Sequence, residues 1–260
     1  EALPDEAQEA LATLQADAAP MAPTLAANVV KGDFGKPPEK LFLDWADMPV
    51  AAASIGQVHR AVTHDGRDVA VKVQYPGVHE AIESDLDAAE VMYAMFSSMM
   101  LKGLDAKGLV DELRDRMREE LDYSIEAGNL AEFESRFQGH PWVRIPKLVP
   151  ELSSARVLTT EWIDGMTFDQ FRTSESYETK QRAGEVIWRF AQGAIMRHGI
   201  FNGDPHPGNY KFHHDGSVTF LDYGLVKRWS PGEWETLSPT LDAVIVHRDP
   251  ELLVRAMEHS

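Results

Sequence analysis

The chain has 260 residues, a formal net charge of −17 and no cysteine. Without cysteine, disulfides, thiolate catalysis and cysteine-ligated zinc are excluded. A negative field of this size repels nucleic acid and anionic lipid headgroups, so neither is expected to bind the bulk of the surface. Hydrophobic residues make up 43% of the chain, which is enough for a sizeable core.

No membrane span is predicted. The most apolar run, residues 91–101, is interrupted by serines and is shorter than the roughly 20 residues that a span needs. Since the composition suits a reducing compartment, we expect a cytoplasmic protein, with peripheral attachment to a membrane as the alternative. The chain starts with Glu1 rather than Met, so we expect its N-terminus to be a boundary within a longer protein.

The first third of the chain reads as helices followed by a small sheet. Helical spacing predicts one helix over residues 5–18 and a shorter one over 24–30. Residues 32–40 are rich in Gly, Pro and Lys and indicate a connection. Alternating β-branched residues over 48–74 then predict two or three strands, with a turn at Asp65-Gly66.

Long helices follow the sheet. After Pro76-Gly77, the pattern predicts one helix over residues 78–100 and a second over about 106–137, with apolar residues on one face. Two strand candidates come next, over residues 143–149 and 156–163.

The second half is mostly helical. Asp164-Gly165 marks a hinge, and the clearest helix covers residues 177–198. A small hairpin is predicted from 210–213 and 218–221, and a helix over 231–258.

This order of elements predicts an α+β, bilobal protein-kinase-like fold. We expect a helical N-terminal extension over residues 1–47 and an N-lobe with a small sheet over 48–163. A mainly helical C-lobe is expected over 164–260, cut short at its C-terminal end.

Lys72 lies in the strand VAVKVQ and is the first candidate for nucleotide chemistry. One interpretation is an edge lysine that reaches water. The other is a cation on the α- and β-phosphates of a nucleotide, held by a helix glutamate. The acidic stretch REELDYSIEAGN offers the partner, and its crowded carboxylates favour a nearby cation. We predict Glu126 as the partner of Lys72, with Glu120 second; Asp122 and Glu126 would share one side of the helix.

The stretch AAASIGQ precedes this strand where a glycine-rich phosphate loop is expected. We interpret it as a phosphate loop stiffened by alanine, because each Cβ narrows the backbone conformations open to it. The predicted nucleotide-binding residues of this loop are Ala51, Ala52, Ala53, Ser54, Ile55, Gly56 and Gln57.

Two loops of the second half carry further candidates. In FNGDPHPGNY, Asp204 and Asn209 have the spacing of the kinase catalytic loop, although a rigid capped turn is the alternative. In FLDYGLV, Asp222 stands between an apolar strand and a glycine, as a metal-binding aspartate does in kinases. Backbone groups of Glu161 and Ile163, before Asp164-Gly165, are the candidates for contact with adenine; a buried strand end is the alternative.

These motifs together resemble the UbiB/AarF/ADCK group of atypical kinases, associated with ubiquinone and other isoprenoid-quinone metabolism. The resemblance rests on AAASIGQVHRA, VAVKVQYPGV, EELDYSIEAGN, TEWIDG, NGDPHPGN and LDYG. It implies that Asp204 is catalytic and that Asn209 and Asp222 are the metal ligands. It also implies that Lys72 pairs with Glu126, and that a conserved acidic pair of the group maps to two further catalytic candidates, Glu120 and Asp122.

The resemblance implies binding of ATP or ADP with Mg²⁺, and support of quinone biosynthesis through isoprenoid-quinone precursor lipids or proteins of that pathway. The KxGQ signature of the group lies upstream of LPxE, so we expect it to precede LPDE near the start of this chain. Two alternatives stay open. One is a small-molecule kinase of the aminoglycoside or choline type, whose loop reads HGDLHPGN; the other is a nucleotide-binding pseudokinase scaffold.

Overall fold

The computed structural model describes residues 20–100, 114, 117, 120–248 and 251. The predicted helix over residues 5–18 lies outside the described residues, as do parts of those predicted over 106–137 and 231–258. The helices are α1 Pro23–Phe34, α2 Pro38–Leu41, α3 Val78–Met100, α4 Tyr123–Phe137, α5 Phe168–Ser174, α6 Tyr177–His198 and α7 Pro231–Leu241. The strands are β1 Asp44–Trp45, β2 Ala51–Ala53, β3 Gly56–Val62, β4 Asp68–Gln74, β5 Val143–Arg144, β6 Val157–Glu161, β7 Ile200–Asn202, β8 Tyr210–Phe212, β9 Val218–Phe220 and β10 Val226–Arg228.

The described residues pack as two units. The first contains the residues up to Gln138 together with Ile145–Asp164, and the second contains Gly139–Arg144 together with the residues from Gly165 onward. Residues 139–144 belong with the second unit because β5 pairs in parallel with β9. Helices and strands occur in both units, so the predicted α+β class is confirmed.

The first unit is built on an antiparallel sheet of order β1–β3–β4–β6, in which β2 also pairs with β3. The predicted turn at Asp65-Gly66 joins β3 to β4, and Gly66 adopts φ 85°, which glycine tolerates without steric cost. The Thr63 amide donates to the Arg67 carbonyl oxygen across this turn at 2.9 Å.

Helix α1 covers one face of this sheet. Val29 and Val30 of α1 join a buried cluster with the alternate valines of β4, Val69, Val71 and Val73. Because successive side chains of a strand point to opposite faces, the residues between these valines lie on the other face. Helix α1 therefore covers one face of the sheet, and Lys72 lies on the other face.

The helix predicted over residues 106–137 is not continuous. The Leu121 amide still donates to the Met117 carbonyl oxygen at 3.0 Å, but Asp122 has extended backbone angles, φ −116° and ψ 98°. A new helix, α4, begins at Tyr123, and the Asp122 carboxylate accepts a hydrogen bond from the Ser124 amide at 2.8 Å. The prediction was wrong here because Asp at this position satisfies free amides of a helix N-terminus.

The strand predicted over residues 143–149 is shorter. It ends at Arg144, because Pro146 lacks the N–H that a ladder requires, and Leu148 forms only an isolated bridge with Thr160. The other candidate, over 156–163, forms β6 and confirms the prediction.

The second unit combines helices with short strands. Helix α6 matches the predicted 177–198, and the predicted hairpin forms as β8 and β9. Helix α6 packs on this hairpin through Phe190, whose ring stacks on Phe220 with centroids 3.7 Å apart. A separate pair, β7 with β10, joins the two loops that carry the candidate residues. Helix α7 ends at Leu241 and passes into a π-helical turn over Asp242–His247.

Within the described part of the chain, no helix is long and apolar enough to cross a membrane.

Candidate active site

The predicted ion pair between Lys72 and Glu126 is present in the first unit. Lys72 Nζ lies 2.8 Å from Glu126 Oε2 and 3.2 Å from Oε1. The side chains are 16% and 6% exposed, so the pair is largely removed from water. Lys72 Nζ also lies 4.9 Å from the centre of the Tyr123 ring, within the range of a cation–π contact. We call Lys72, Tyr123 and Glu126 the lysine cluster.

The helix break at Asp122 positions this cluster. It places Glu126 in the first turn of α4, and Tyr123 is 1% exposed. The break is tied to the sheet by Gln74, whose Nε2 donates to the Leu121 carbonyl oxygen at 2.7 Å. The Tyr123 amide donates to the Ala155 carbonyl oxygen at 2.9 Å. The start of α4 is therefore held beside β4, the strand that carries Lys72.

The other predicted acidic residues have different contacts. Glu120 Oε1 accepts a hydrogen bond from the Ser54 hydroxyl at 3.0 Å. Asp122 is the N-cap of α4, so the expectation that Asp122 and Glu126 share one side of a continuous helix was wrong. The structure thus separates Glu126, which pairs with the lysine, from Glu120, which contacts the alanine-rich stretch.

The alanine-rich stretch forms a β-hairpin. Ala53 pairs with Gly56 across a two-residue turn, Ser54-Ile55. Ala51 and Ala52 are exposed, whereas Ile55 is 8% exposed and joins a cluster with Leu121, Tyr123 and Leu158.

Gly56 is required by strand packing. A Cβ at this position would lie 2.3 Å from the carbonyl oxygen of Val73 on β4, and real Cβ atoms essentially never approach that closely. Its role in contacting phosphate is therefore not needed to explain why it is glycine.

Polar groups of Gln57 and Glu161, two predicted nucleotide contacts, are already hydrogen-bonded within the protein. The Gln57 side chain is 1% exposed and is hydrogen-bonded within the protein. The Glu161 amide donates to the Lys147 carbonyl oxygen at 2.8 Å, so only the carbonyl group of Glu161 remains a candidate for adenine. Ile163 is half-buried and follows Trp162, whose amide donates to the Asp68 carbonyl oxygen at 3.0 Å.

Asp204 and Asn209 are in direct contact in the second unit. Asn209 Nδ2 donates to Asp204 Oδ2 at 2.7 Å. A short 3₁₀ turn, Pro207–Asn209, brings them together, and the Asn209 amide donates to the His206 carbonyl oxygen at 2.9 Å. The Leu221 amide donates to the Asn209 carbonyl oxygen at 2.9 Å, which fixes this loop to the residue before Asp222.

Asp222 is followed by a buried aromatic residue, Tyr223, that fixes the backbone at this point. Tyr223 is 0% exposed, and its hydroxyl donates to the Phe220 carbonyl oxygen at 3.1 Å. Burial raises the pKa of Tyr223 well above its ordinary value, so the phenol stays protonated as the donor. Asp222 Oδ1 accepts from the Gly224 amide at 2.9 Å, which orients the carboxylate.

Asn202 links the two loops, and sequence reasoning did not identify it as functional. Its Nδ2 donates to the Asp222 carbonyl oxygen at 2.8 Å, and its Oδ1 accepts from the Asp204 amide at 3.2 Å. Asn202 pairs with Val226 in the β7–β10 ladder. The only sequence signal was its place two residues before Asp204, where the aminoglycoside-type loop has histidine. We call Asn202, Asp204, Asn209 and Asp222 the aspartate cluster.

The aspartate cluster offers oxygen ligands of the kind that bind Mg²⁺ when the ion also contacts phosphate. Because Asn209 uses its nitrogen for Asp204, its amide oxygen is the atom left to act as a ligand. Carboxylate and amide oxygens are ligands that Mg²⁺ accepts. Among the described residues, no group of three or more His, Cys, Asp and Glu side chains is suited to a metal. Mg²⁺ in nucleotide sites usually binds one or two carboxylates together with phosphate oxygens and water, and Asp222 and Asn209 offer ligands of this kind.

Comparisons with known proteins identify the family of the chain. The family model described as the ABC1 atypical kinase-like domain matches residues 13–257. The chain is 32% identical over 259 residues to the chloroplastic protein ACTIVITY OF BC1 COMPLEX KINASE 1 of Arabidopsis thaliana, covering 96% of this chain and 35% of that protein. It is 31% identical over 261 residues to an uncharacterized protein of Synechocystis sp., covering 98% of this chain and 44% of that one. The chain therefore spans less than half the length of these two relatives.

A solved structure also matches. The complex of Rv3197 with erythromycin from Mycobacterium tuberculosis superimposes with a TM-score of 0.80 at 35% identity, over 99% of this chain and 65% of that one.

Proposed function

The chain belongs to the ABC1 atypical kinase-like family, which includes the UbiB/AarF/ADCK proteins, and from this premise we propose that it is an Mg²⁺-dependent, adenine-nucleotide-binding kinase or ATPase that supports isoprenoid-quinone biosynthesis. The observation that carries the proposal is the Lys72–Glu126 pair, with an Nζ–Oε2 distance of 2.8 Å. An edge lysine that reaches water would not be 16% exposed and held by a carboxylate that is 6% exposed. A cation fixed in this way suits phosphate binding.

In this proposal each unit supplies one part of the chemistry. In the first unit, Lys72 contacts the α- and β-phosphates while Glu126 fixes its position, and the backbone of Ala51–Gly56 lies near the phosphates. The carbonyl group of Glu161 and the amide of Ile163 contact adenine. Gln57 is left out of the nucleotide contacts, because both ends of its side chain are bonded inside the protein.

In the second unit, Asp204 orients the attacking oxygen, and Asn209 and Asp222 hold Mg²⁺. The chemistry that bound Mg²⁺ supplies is neutralisation of charge on the phosphoryl oxygens. Asn202 and Asn209 keep Asp204 in place through its amide and its carboxylate. Burial, together with the charge of Asp204, raises the pKa of the neighbouring Tyr210, so this phenol stays protonated and does not act as a base.

A nucleotide-binding scaffold without turnover is the second candidate. It is favoured by the contacts of the acidic pair, since Glu120 accepts from Ser54 and Asp122 caps α4. If these contacts persist with nucleotide bound, one oxygen of each carboxylate is held in a structural hydrogen bond. A small-molecule kinase has less support, because Asn202 and Pro205 depart from the histidine and leucine of that loop.

The test is calorimetric titration of the chain with MgADP and MgATP, followed by measurement of ATP turnover. Turnover is measured with and without vesicles that contain isoprenoid-quinone precursors, and with vesicles of phosphatidylcholine alone as the control. We expect binding of both nucleotides, and turnover that rises with precursor vesicles and is lost in Asp204→Asn. Binding without turnover would favour the scaffold. Phosphorylation of an added aminoglycoside or of choline would favour the small-molecule kinase, and absence of binding would overturn the proposal.

A further inference from the structure

We infer that Gln57 is a positioning residue that ties the alanine-rich hairpin to the segment entering α1, so that nucleotide binding and attachment of this segment favour each other. The inference deepens the proposed function, since it assigns the proposed nucleotide-binding hairpin a second structural partner. It rests on a chain of three hydrogen bonds inside the first unit.

The hydrogen bonds use both ends of the Gln57 amide. The backbone N–H of Met21 donates to Gln57 Oε1 at 2.9 Å, over a separation of 36 residues. Gln57 Nε2 lies 2.8 Å from His59 Nε2, and His59 Nδ1 lies 2.8 Å from the Ala46 carbonyl oxygen. The chain of bonds therefore runs from the segment before α1, through β3, to the connection between β1 and β2.

Chemistry fixes the direction of each bond. The amide nitrogen of Gln57 only donates, so His59 Nε2 accepts and the ring proton lies on Nδ1, which donates to the carbonyl of Ala46. This is the neutral imidazole. The ring is 0% exposed and stacks on Trp45 with centroids 4.5 Å apart, so it has little freedom to choose another partner.

The backbone of Gln57 is part of the hairpin. Gln57 pairs with Ala52 of β2 on one side and with Val73 of β4 on the other. It follows the turn Ser54-Ile55 by two residues. Gln57, His59 and Ala61 are every second residue of β3, so their side chains lie on the same face of the sheet. Ala61 joins the buried cluster with α1, so the Gln57 side chain lies on the face that α1 covers. A shift of the hairpin thus moves a side chain whose other contact is Met21.

If nucleotide binding strengthens the attachment of the Met21 segment, attachment of that segment must strengthen nucleotide binding by the same factor. If the hairpin is held more firmly by nucleotide, the Gln57 oxygen is held more firmly for the Met21 amide. If the Met21 amide no longer donates to Gln57 Oε1, the hairpin loses one of the two hydrogen bonds that hold the Gln57 side chain in place. Gln57→Leu replaces the amide with an apolar side chain of similar size and removes both hydrogen bonds.

The experiment compares the 260-residue chain with its Gln57→Leu and Thr63→Val variants by amide hydrogen exchange and by titration with MgADP. Thr63 is the matched control, because it is also a buried polar residue beside the same strand, at 3% exposed, but it bonds the far turn at Arg67. For Gln57→Leu we expect exchange at least tenfold faster at the Met21 amide and MgADP binding at least threefold weaker. For Thr63→Val we expect lower thermal stability with unchanged MgADP affinity and Met21 exchange.

A third variant, Gln57→Glu, covers failure of the leucine variant to fold. It keeps an oxygen for the Met21 amide, so we expect Met21 exchange to be closer to that of the unmodified chain. Loss of thermal stability in Gln57→Leu with no change in MgADP affinity would overturn the coupling. Loss of binding with unchanged Met21 exchange would mean that Gln57 contacts nucleotide, and would overturn it as well. If the unmodified chain binds no nucleotide, the proposed function fails, while faster exchange at Met21 and across Ala51–Ala53 in Gln57→Leu still tests the structural link.

Discussion

Lys72 and Glu126 form an ion pair that is largely removed from water. Lys72→Met leaves a carboxylate that is 6% exposed without its cation, which typically costs about 3–5 kcal/mol. Adding Glu126→Gln removes the buried negative charge that has lost its lysine, so we expect the double variant to be more stable than Lys72→Met alone. Urea unfolding of the four members of this cycle measures the effect. A double variant as unstable as Lys72→Met would show that charge is not the reason.

Asn202 is predicted to matter for metal-dependent binding. Asn202→Ala removes the hydrogen bonds to the Asp222 carbonyl and from the Asp204 amide, so both loops lose a fixed partner. We expect the Mg²⁺ concentration for half-maximal nucleotide binding to rise several-fold, measured by titration with Mg²⁺ at constant ADP. Asn28→Ala, an exposed asparagine of α1, is the control and should leave it unchanged. Equal Mg²⁺ dependence in both variants would contradict the role of Asn202.

The role of a residue was predictable where the sequence motifs show both the residue and a partner of opposite charge. A lysine between valines and an acidic helix were enough to predict the Lys72–Glu126 pair. Asn202 was not predictable, because its contacts depend on the pairing of β7 with β10 and on a residue 20 positions away. Gln57 was predicted as a nucleotide contact, since sequence alone does not show that Met21 lies beside its side chain.

At the scale of elements, the hairpin β2–β3 depends on Gly56. Gly56→Ala places a Cβ 2.3 Å from the Val73 carbonyl oxygen, and the strand must shift to relieve the clash. We expect destabilisation of about 1–3 kcal/mol, as overpacking usually gives. Gly128→Ala is the control, because a Cβ there meets nothing within 4 Å in the exposed part of α4. That variant should gain up to about 1 kcal/mol from helix propensity. Chemical denaturation of both variants tests the prediction, and a neutral Gly56→Ala would contradict it.

The start of α4 shows why element boundaries escaped the sequence. Leu121 and Ile125 continue the apolar spacing of a helix through the break, so periodicity alone favours one long helix. The break is stabilised by two residues that are distant in sequence. Gln74 donates a hydrogen bond to the Leu121 carbonyl oxygen, and the Ala155 carbonyl oxygen accepts one from the Tyr123 amide. Helix α6 was predictable, because Ser176 caps it and Gly199 ends it in the left-handed conformation.

At the scale of the whole molecule, stability is predicted to fall in mild acid. Burial lowers the pKa of His59 and of His213 below the ordinary value of 6.5. The unfolded chain then binds protons on these rings at a higher pH than the folded chain does. Their contribution is therefore complete above pH 6.5 and is lost as the pH falls from 6.5 toward the lower pKa of the folded state.

Denaturation midpoints measured between pH 6.5 and about pH 5 test this sign. His59→Gln should flatten the dependence, because it removes the buried ring that resists protonation. His79→Gln changes an exposed histidine at the start of α3 and should leave the dependence as it is. A chain that becomes more stable as the pH falls over this interval would contradict the assignment of neutral His59.

The order of elements was enough to predict the α+β kinase-like fold, since helix and strand periods are local properties. The contacts within the aspartate cluster were predictable only in part. Asp204 and Asn209 lie five residues apart on one loop stiffened by prolines, so the sequence alone places them near each other. The partners that hold the loop come from β7, β9 and β10, which are brought together by pairing rather than by local sequence.

The proposed function requires that this chain binds adenine nucleotide through Lys72 and through Mg²⁺ held by Asp222. Thermal unfolding with millimolar ADP or ATP, in the presence of Mg²⁺ and in its absence, tests it most directly. A ligand at a hundredfold excess over its Kd stabilises the folded state by about 2.7 kcal/mol, and each kcal/mol raises Tm by roughly 2–4 °C for a chain of this size. We predict a higher Tm with nucleotide and Mg²⁺, and loss of the Mg²⁺-dependent part of the shift in Asp222→Asn. An unchanged Tm with both nucleotides, or a full Mg²⁺-dependent shift in Asp222→Asn, would contradict the claim.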